Sequence, residues 1–347
     1  MNNLLAKQVY KELKMKLLRS VPNLILLILL TILLKDQLIS LSLASDGITI
    51  LYDSFGKKSD MTKDWGFSAL IEYQGKHILF DTGDNVDVFA HNIKAKGVDL
   101  TKLDFAIISH RHGDHIGGIP YLLSVNPHIK IYAPKENFGI FGSSLPGNFY
   151  RRNDTLPKVR RYFDGNAPEK LTFGDAWNKK FELVDKTIEV APGMFLISLV
   201  STNQGTLELH ELSLAIKTPN GLLIVVGCAH PGIEKIIEAA SVIDPHIHLI
   251  FGGMHLVTTS DIEIERVSLI LRDTWKVDYV APGHCTGEPA FAVLARDFAD
   301  RYVYAGLGET LTFDNQVSKM VESTSQDFVM LSPIEKYHTA IPPILFD

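Results

Sequence analysis

The sequence is poor in cysteine, with only Cys228 and Cys285 among 347 residues. Two cysteines cannot form a disulfide framework, so the fold must depend on a hydrophobic core, with or without a bound metal. The composition, 46% apolar and 21% charged, excludes a coiled coil, a collagen-like chain and a wholly disordered one. We find no internal repeat and no low-complexity tract. The length allows about two domains, or one large α/β domain of ~250 residues or more.

Positive charge is scarce in most of the chain. Residues 1–45 carry six basic and two acidic residues, a net charge of +4, and the whole chain carries −6, so the other 302 residues carry −10. An acidic body lacks the basic surface that displaces counterions from nucleic acid. We therefore expect a small-molecule substrate and no nucleic-acid partner. Small anionic substrates remain compatible because they respond to local charge, and the oligomeric state stays open.

Long apolar runs are also absent from the body, and the clearest one lies near the N-terminus. The segment Val21–Leu34 has 14 mostly apolar residues, too few for an ordinary membrane span of ~20 but typical of a signal peptide. Ser42 and Ala44 would suit cleavage after Ala44. Three interpretations compete: a cleaved export signal, a membrane anchor and an amphipathic helix buried in the fold. We expect residues 1–45 to be a signal peptide or anchor, so that the protein is exported or associates with a membrane there; a cytoplasmic location is less favoured.

From Ile48 onward, short apolar strands alternate with amphipathic helices. The predicted helices are Val86–Lys96, Ile116–Ser124, Ile233–Ala240, Asp261–Asp273 and Glu288–Phe298. This alternation predicts an α/β fold of layered sheets covered by helices. The region of about 135–190 has weak periodicity and is rich in Gly, Asn, Pro and basic residues, which favours a lid-like insertion. We assign 46–315 to one domain that carries this insertion, and 316–347 to a C-terminal extension.

The segment 105–118, with the sequence FAIISHRHGDHIGG, has the strongest chemical pattern in the chain. An apolar predicted strand, Phe105–Ser109, leads directly to His110, His112, Asp114 and His115. Residues i and i+2 of an extended segment point the same way, so His110 and His112 can bind one ion. Gly113 permits a turn that brings the next two donors to a second position. Imidazole and carboxylate ligands suit zinc, with iron or manganese as alternatives.

This motif resembles the signature of the metallo-β-lactamase superfamily, and the resemblance extends over about 48–313. It implies a four-layer αβ/βα sandwich with a mono- or dinuclear metal site. Asp81, in Phe80-Asp81-Thr82-Gly83, matches the strand-end aspartate that supports the metal loop. His284, in Ala281-Pro282-Gly283-His284, matches the late ligand histidine. Cys228 falls where the family places a bridging aspartate, or a cysteine in some lactamases.

Three further motifs narrow the resemblance to one branch of the superfamily: 227–232 (GCAHPG), 252–256 (GGMHL) and 283–287 (GHCTG). They are similar to the branch that includes the archaeal dihydropterin–ribofuranosylaminobenzene-phosphate synthase. The family's middle ligand histidine has no counterpart in 205–210. His230 is the favoured replacement, and His210 is weaker because a core-paired or solvent-facing histidine explains it equally well. His255 is either a ligand or an acid that faces the substrate.

The cysteines and the other histidines carry weaker predictions. Cys228 is a thiolate ligand or a small buried apolar residue, and Cys285 is favoured as a packing residue near the site. A disulfide between the two would exclude a ligand role for Cys228. The remaining histidines carry no motif and are interpreted as structural: His77, His91, His128, His246, His248 and His338.

The preferred function is a metal-dependent hydrolase of a small ester or phosphoester, anionic substrates included. Two divalent ions would activate water, Asp114 would orient it and His255 would protonate the leaving group. The alternative is a transferase resembling the synthase, and a redox or sensing protein is the least favoured. The insertion carries four arginines that either bind an anionic substrate or form a solvated basic loop, which could also face anionic lipid: Arg151, Arg152, Arg160 and Arg161.

Overall fold

The computed structural model describes residues 46–135, 144–147, 150–172, 181–206 and 209–313. Two sheets of seven and six strands form the frame, and a two-stranded sheet lies in the inserted region. The mixed α/β character with two sheets is thus confirmed. The predicted targeting segment 1–45 and the C-terminal extension 316–347 lie outside the described residues.

The seven-stranded sheet has the order β15-β1-β2-β3-β4-β5-β8. Strands β3, β4, β5 and β8 run parallel, and the pairs on the other side are antiparallel. Side chains of β1 pack on one face into the core between the two sheets and on the other into the core under the helices, which explains why β1 is buried at every residue. The strands are β1 Gly47–Tyr52, β2 Ser68–Tyr73, β3 Lys76–Phe80, β4 Phe105–Ile107, β5 Ile131–Pro134, β8 Glu182–Val184 and β15 Thr310–Thr312.

The six-stranded sheet has the order β14-β13-β12-β11-β10-β9, with β12, β13 and β14 parallel. A two-residue turn at Asn220 joins β11 to β12, which agrees with the strong turn signal there. The strands are β9 Ile188–Ala191, β10 Met194–Val200, β11 His210–Thr218, β12 Gly221–Val226, β13 Ile247–Gly252 and β14 Tyr279–Pro282. The small sheet pairs β6 Ser144–Pro146 with β7 Lys170–Thr172.

Helices cover the outer face of each large sheet. Apolar side chains of α1 and α2 pack in one core with the seven-stranded sheet, and those of α3, α4 and α5 pack in another with the six-stranded sheet. A third core fills the space between the sheets. The layers are therefore helices, sheet, sheet and helices. The helices are α1 Val86–Lys96, α2 Ile119–Val125, α3 Ile233–Ser241, α4 Asp261–Leu269 and α5 Glu288–Phe298.

Polar residues follow the carboxyl ends of the parallel strands. Asp81 follows β3, His110 follows β4, Cys228 follows β12, His255 follows β13 and His284 follows β14. In open α/β sheets, these ends form the crevice where ligands bind. The topology thus brings together five loops that are widely separated along the chain.

The described part of the insertion packs over this edge. Glu288, at the start of α5, accepts hydrogen bonds from the backbone N–H groups of Asn153 (2.6 Å) and Tyr162 (3.2 Å). The hydroxyl of Tyr162 in turn accepts one from the N–H of Gly287 at 2.6 Å. These buried contacts hold 153–162 against the loop that carries His284. Whether this region acts as a lid remains a prediction.

Candidate metal centre

Asp81 organises the loop after β4. Its carboxylate accepts hydrogen bonds from the backbone N–H and the hydroxyl of Ser109, both at 2.7 Å, and contacts Nδ1 of His115 at 2.6 Å. The Ser109 hydroxyl also lies 2.8 Å from Nδ1 of His110. All four side chains are buried. Because the Nδ1 atoms of both histidines are occupied, their Nε2 atoms face the site, which is the usual arrangement behind a metal ligand.

Three histidines form a first donor triad. Nε2 of His110 lies 3.0 Å from Nδ1 of His112 and 3.2 Å from Nε2 of His230, and the three donor atoms lie within 4.8 Å of one another. His110 and His230 are buried, whereas His112 is partly exposed. The structure therefore brings His230 beside His110 and His112.

A second donor triad consists of Asp114, His115 and His284. Oδ2 of Asp114 lies 3.5 Å from Nε2 of His284 and 3.9 Å from Nε2 of His115. The same oxygen accepts a hydrogen bond from the indole N–H of Trp65 at 3.0 Å. Trp65, which the sequence reasoning missed, thus fixes the orientation of the carboxylate.

The Cys228 thiol lies between the triads. Its Sγ is 3.2 Å from Nε2 of His115, and it forms one donor group with His110 and His115. A second group joins Cys228 to His255 and Cys285. Both cysteines are free and buried, so the structure contains the two thiols and no disulfide between them.

The chemistry of these donors fits a divalent metal. Burial, together with the neighbouring histidines, lowers the pKa of His110 and of His230 well below the ordinary value, and burial lowers the pKa of His112 to about 4. These imidazoles are neutral near pH 7, as metal ligands must be. Nε2 of His284 is buried without a hydrogen-bond partner. Such a group costs free energy unless it has a partner, and a cation would provide one.

Asp114 and His284, in the second triad, have pKa values shifted in the direction that favours their charged forms. Burial alone would raise the pKa of Asp114, but contacts with His115 and His284 outweigh it and hold the pKa well below its usual range. Burial disfavours the charged form of His284, yet the charge of Cys285 and that of Asp114, whose Oδ2 lies 3.5 Å from Nε2, raise its pKa to about 9. A metal ion in this triad would therefore displace a proton.

Glu211, on β11, is a second residue that the sequence reasoning missed. Its buried carboxylate accepts hydrogen bonds from three consecutive backbone N–H groups, those of Cys228 (3.1 Å), Ala229 (2.7 Å) and His230 (2.8 Å). Burial raises the pKa of Glu211 to about 7, although these hydrogen bonds oppose the shift. Glu211 thereby shapes the loop that carries two donors. A glutamate within a strand of otherwise buried apolar residues is the signal that could have identified it.

Asp53 supports the loop that carries His284, as Glu211 supports the loop that carries Cys228 and His230. It follows β1, is fully buried and accepts a hydrogen bond from the backbone N–H of His284 at 2.9 Å. Burial raises the pKa of Asp53 to about 7, although the charge of His284 opposes the shift. Asp81 was identified by its match to the superfamily motif, whereas Asp53 matches no such motif. A charged residue directly after an apolar strand is the signal that could have indicated Asp53.

Left-handed backbone conformations concentrate around these loops. Asp81 (φ 57°), Ala229 (φ 62°), His255 (φ 48°) and His284 (φ 45°) all have positive φ. This conformation is uncommon for residues other than glycine and is found most often where a functional site requires it. Each of these residues lies just after a strand that ends at the site.

His255 lies at the open side of the centre. Its ring centroid is 4.2 Å from that of His230, and its side chain is partly exposed. Burial opposes the charged form, but the hydrogen bond and charge of Cys285, together with the charge of Glu211, raise the pKa of His255 overall. The structure thus places His255 beside the donors of the first triad.

The four arginines of the insertion have different surroundings. Arg151 donates to the carbonyl of Thr259 at 2.7 Å and pairs with Asp261, and Arg161 pairs with Asp154. Arg160 is buried, with its guanidinium 5.2 Å from the ring centroid of Tyr302. Arg152 is exposed and lies 5.8 Å from the ring centroid of Tyr150. Three of the four side chains therefore make contacts that account for them within the protein.

The other histidines lie outside the four donor groups found in the described residues. His210 pairs with Val200 at the start of β11. His246 and His248 share one carboxylate oxygen of Asp278, at 2.8 and 2.9 Å. His338 lies outside the described residues.

Comparison with known proteins agrees with this architecture. The family model described as the metallo-beta-lactamase superfamily matches residues 64–194, which include the His110–His115 motif and Asp81. A solved structure described as a metal-dependent hydrolase of the beta-lactamase superfamily is 27% identical, covers 77% of this chain and 98% of its own, and has a TM-score of 0.58. The resemblance to the metallo-β-lactamase superfamily is confirmed, and this fold implies divalent metal binding.

Curated relatives point to one branch of the superfamily. The 7,8-dihydropterin-6-methyl-4-(beta-D-ribofuranosyl)-aminobenzene-5'-phosphate synthase of Methanocaldococcus jannaschii is 28% identical over 76% of this chain and 95% of its own length. An uncharacterised protein of the same organism is 26% identical over 76% of this chain and 99% of its own. The similarity to the branch that includes the synthase is therefore confirmed.

The predicted export or membrane anchoring requires correction. Similarity to the synthase over most of the chain contradicts that expectation. Among the described residues, no helix is both long and apolar enough to cross a bilayer. An apolar run of 14 residues with basic flanks is not a sufficient signal, because it fits a targeting segment and a buried helix equally well.

Proposed function

We propose that this protein is a metal-dependent hydrolase that acts on a small ester or phosphoester, anionic substrates included. One observation carries the proposal: two donor triads lie side by side, with the Cys228 thiol between them. One triad is made of three histidines and the other contains a carboxylate, so the pair offers six donors and a soft sulfur.

The triads would hold two divalent ions. His110, His112 and His230 would hold one, and Asp114, His115 and His284 the other, with Cys228 as a shared ligand. Nitrogen, oxygen and thiolate donors favour zinc, with iron or manganese as alternatives. When bound, the ions would supply Lewis-acid activation of water and of the substrate's electrophilic centre.

Asp114 and His255 would perform the proton chemistry. The Trp65 hydrogen bond fixes one oxygen of Asp114, and we assign the other oxygen to accept a hydrogen bond from the attacking water and so to orient it. His255 is partly exposed, so its ring can reach a bound substrate. We assign it as the acid that donates a proton to the leaving group.

The substrate is proposed to be a small molecule, and nucleic acid is not a proposed partner. Among the four arginines, Arg152 is the best candidate for an anionic group, since the contacts of Arg151, Arg160 and Arg161 lie within the protein. Arg152 lies beside Tyr150, whose ring stacks on Trp65 at 6.2 Å. An anion bound there would be connected to Asp114 through two aromatic side chains.

Metal analysis and a substrate screen test the proposal together. We expect about two equivalents of metal per purified full-length chain, and turnover of at least one phosphodiester, lactone, β-lactam or acyl ester. Chelation should abolish the turnover, and added zinc should restore it. Two equivalents of metal without turnover of any ester would count against hydrolysis.

The role of His255 is tested by varying the leaving group. His255→Ala should reduce kcat by on the order of 100-fold for an alkoxide leaving group, which needs a proton. It should have little effect for 4-nitrophenolate, which departs without one. His248→Ala is the matched control, because His248 lies near the start of β13, the strand that His255 follows. An equal loss with both leaving groups would exclude the acid role.

A transferase is the second candidate, and the similarity to the synthase over 95% of that relative's length supports it. The same centre would then assist the departure of a diphosphate, and an amine or carbon nucleophile would replace water. Full-length protein incubated with a pterin methyl diphosphate and an aminobenzene ribotide would separate the two. Condensation in preference to hydrolysis of the diphosphate would favour the transferase.

A further inference from the structure

The two cysteines form a close pair inside the metal centre. Their Sγ atoms are 3.3 Å apart, although the residues are 57 positions apart in sequence. Cys228 follows β12 and Cys285 follows β14, and both are at most 3% exposed. Two thiols at this distance are in van der Waals contact, and a disulfide requires only that they approach to about 2.0 Å.

The surroundings provide room and a base for the pair. A Cβ at Gly253 would lie 2.9 Å from Sγ of Cys285 and 2.2 Å from the carbonyl oxygen of Gly227, so only glycine leaves space for this thiol. The ring of His255 completes a donor group with both sulfurs within 4.8 Å. Because His255 is partly exposed, this side of the pair faces the open side of the centre, from which a small oxidant can approach.

We propose that Cys228 and Cys285 form a reversible disulfide that switches the metal centre off. A peroxide is the oxidant. The Cys285 thiol gives its proton to His255 and attacks the peroxide oxygen, which yields a sulfenic acid and water from hydrogen peroxide. The Cys228 thiol then attacks that sulfur, and hydroxide leaves as a second water with the proton of Cys228. Two thiols and one hydrogen peroxide thus become one disulfide and two waters, and a dithiol reductant reverses the change.

The switch rests on the proposed function at one point, the role of Cys228 as a shared ligand. Only a thiolate binds metal strongly, so a disulfide removes the sulfur from both triads at once. His115 then loses its 3.2 Å contact with a ligand sulfur. Bound metal and the disulfide compete for the same atom, so metal should protect the pair from oxidation.

Intact mass spectrometry of the full-length chain tests the proposal without peptide mapping. Since the chain has only two cysteines, an intramolecular disulfide can only be this one. Reduced protein, metal-free or loaded with zinc, is treated with hydrogen peroxide and then alkylated in denaturant. We expect a loss of about 2 Da and no alkylation, about tenfold faster without zinc. Oxidised protein should release bound zinc, and dithiothreitol should restore both thiols and zinc binding.

Cys285→Ser and Cys285→Ala are the matched variants, and neither can form the bond. Peroxide should then leave Cys228 as a sulfenic or sulfinic acid whose zinc binding dithiothreitol restores poorly. Sulfinic acids or a disulfide-linked dimer in the wild type, in place of the intramolecular bond, would overturn the switch, whatever the variants do. A disulfide that forms with full zinc retention would also overturn it, and would exclude Cys228 as a ligand while leaving the two triads of the proposed function intact.

Discussion

Strand β13 has a histidine cluster at each end, and the two clusters differ in how their ring nitrogens are satisfied. At its start, His246 and His248 both contact one carboxylate oxygen of Asp278, at 2.8 and 2.9 Å. Beyond its end, ring nitrogens of His110, His112 and His230 face one another at 3.0 and 3.2 Å, with no carboxylate in that triad. The first cluster has its counter-charge within the protein, whereas the second presents several lone pairs to one point.

Burial increases the difference. The side chain of His246 is 56% exposed and that of Asp278 is 34% exposed, so water screens the first cluster. His110 and His230 are at most 2% exposed, and their pKa values are lowered because burial and neighbouring rings disfavour charge. Proximity of histidines therefore does not define a metal site. What distinguishes the first triad from the surface cluster is that its rings are neutral, largely buried and have nitrogens that converge on one point.

Removing one histidine ring from each cluster should give the largest difference in metal content and activity between two variants. His110→Ala should lose at least one equivalent of metal and reduce activity by on the order of a thousandfold, because the ion that activates water is lost. His248→Ala should retain metal and activity, with a stability change of about 1 kcal/mol or less. Metal content, turnover and denaturant unfolding are measured on both variants. Full metal content in His110→Ala would refute the site assignment.

Lowering the pH should weaken metal binding at the second triad more than at the first. His284 has a raised pKa of about 9, so below that pH a metal must displace its proton, and binding to the second triad should weaken by about tenfold per pH unit. His112, with its pKa lowered to about 4, is neutral throughout this range. Zinc titrations at pH 8 and pH 6 should show one site weakened by about 100-fold and the other much less. Equal weakening at both sites would contradict the difference between the triads.

The change Glu211→Gln, at a residue that lies behind the first triad and is not one of its donors, should weaken metal binding there. The amide has one accepting oxygen instead of two and presents an N–H₂ group to backbone donors, so the 228–230 loop should lose its fixed shape. We expect zinc affinity at the first triad to fall by about 10- to 100-fold, as for other partners behind metal ligands. Competition with a chromophoric chelator measures this. Glu189→Gln is the control and should leave zinc affinity unchanged, because Glu189 accepts only one exposed hydrogen bond, from the N–H of Gly193, and an amide oxygen can still accept it.

Replacing Arg152 should have the smallest effect, a change in KM, and replacing Arg151 is the control. Arg151, like His248, already has a carboxylate partner, whereas the guanidinium of Arg152 is exposed. Arg152→Ala should raise KM for an anionic substrate by about fivefold, close to 1 kcal/mol for an exposed charge, and less at high salt. Arg151→Ala should leave KM unchanged. If KM rises equally for a neutral analogue, the insertion has been disturbed and Arg152 does not bind the anion.

Several elements were predictable because their signals are local. The helices Val86–Lys96 and Glu288–Phe298 have the predicted bounds, since apolar spacing and end signals lie within each segment. The strand predicted for Phe105–Ser109 ends instead at Ile107, because the N–H of Ser109 is directed to the carboxylate of Asp81 rather than to a neighbouring strand. The signal for that ending lies 28 residues away in sequence.

Short-range patterns were sufficient to reveal the resemblance to the metallo-β-lactamase superfamily, the alternation of strands and helices, and the spacing of donors within 110–115, because these depend on residues that are close along the chain. Tertiary structure decided which distant residues join them. Cys285 lies beside Cys228 across 57 residues because β12, β13 and β14 run parallel and end at the same edge. His230 lies beside His110 across 120 residues because the loop after β12 meets the loop after β4 of the other sheet. Strand pairing sets these distances, and it depends on packing throughout both sheets rather than on any short motif.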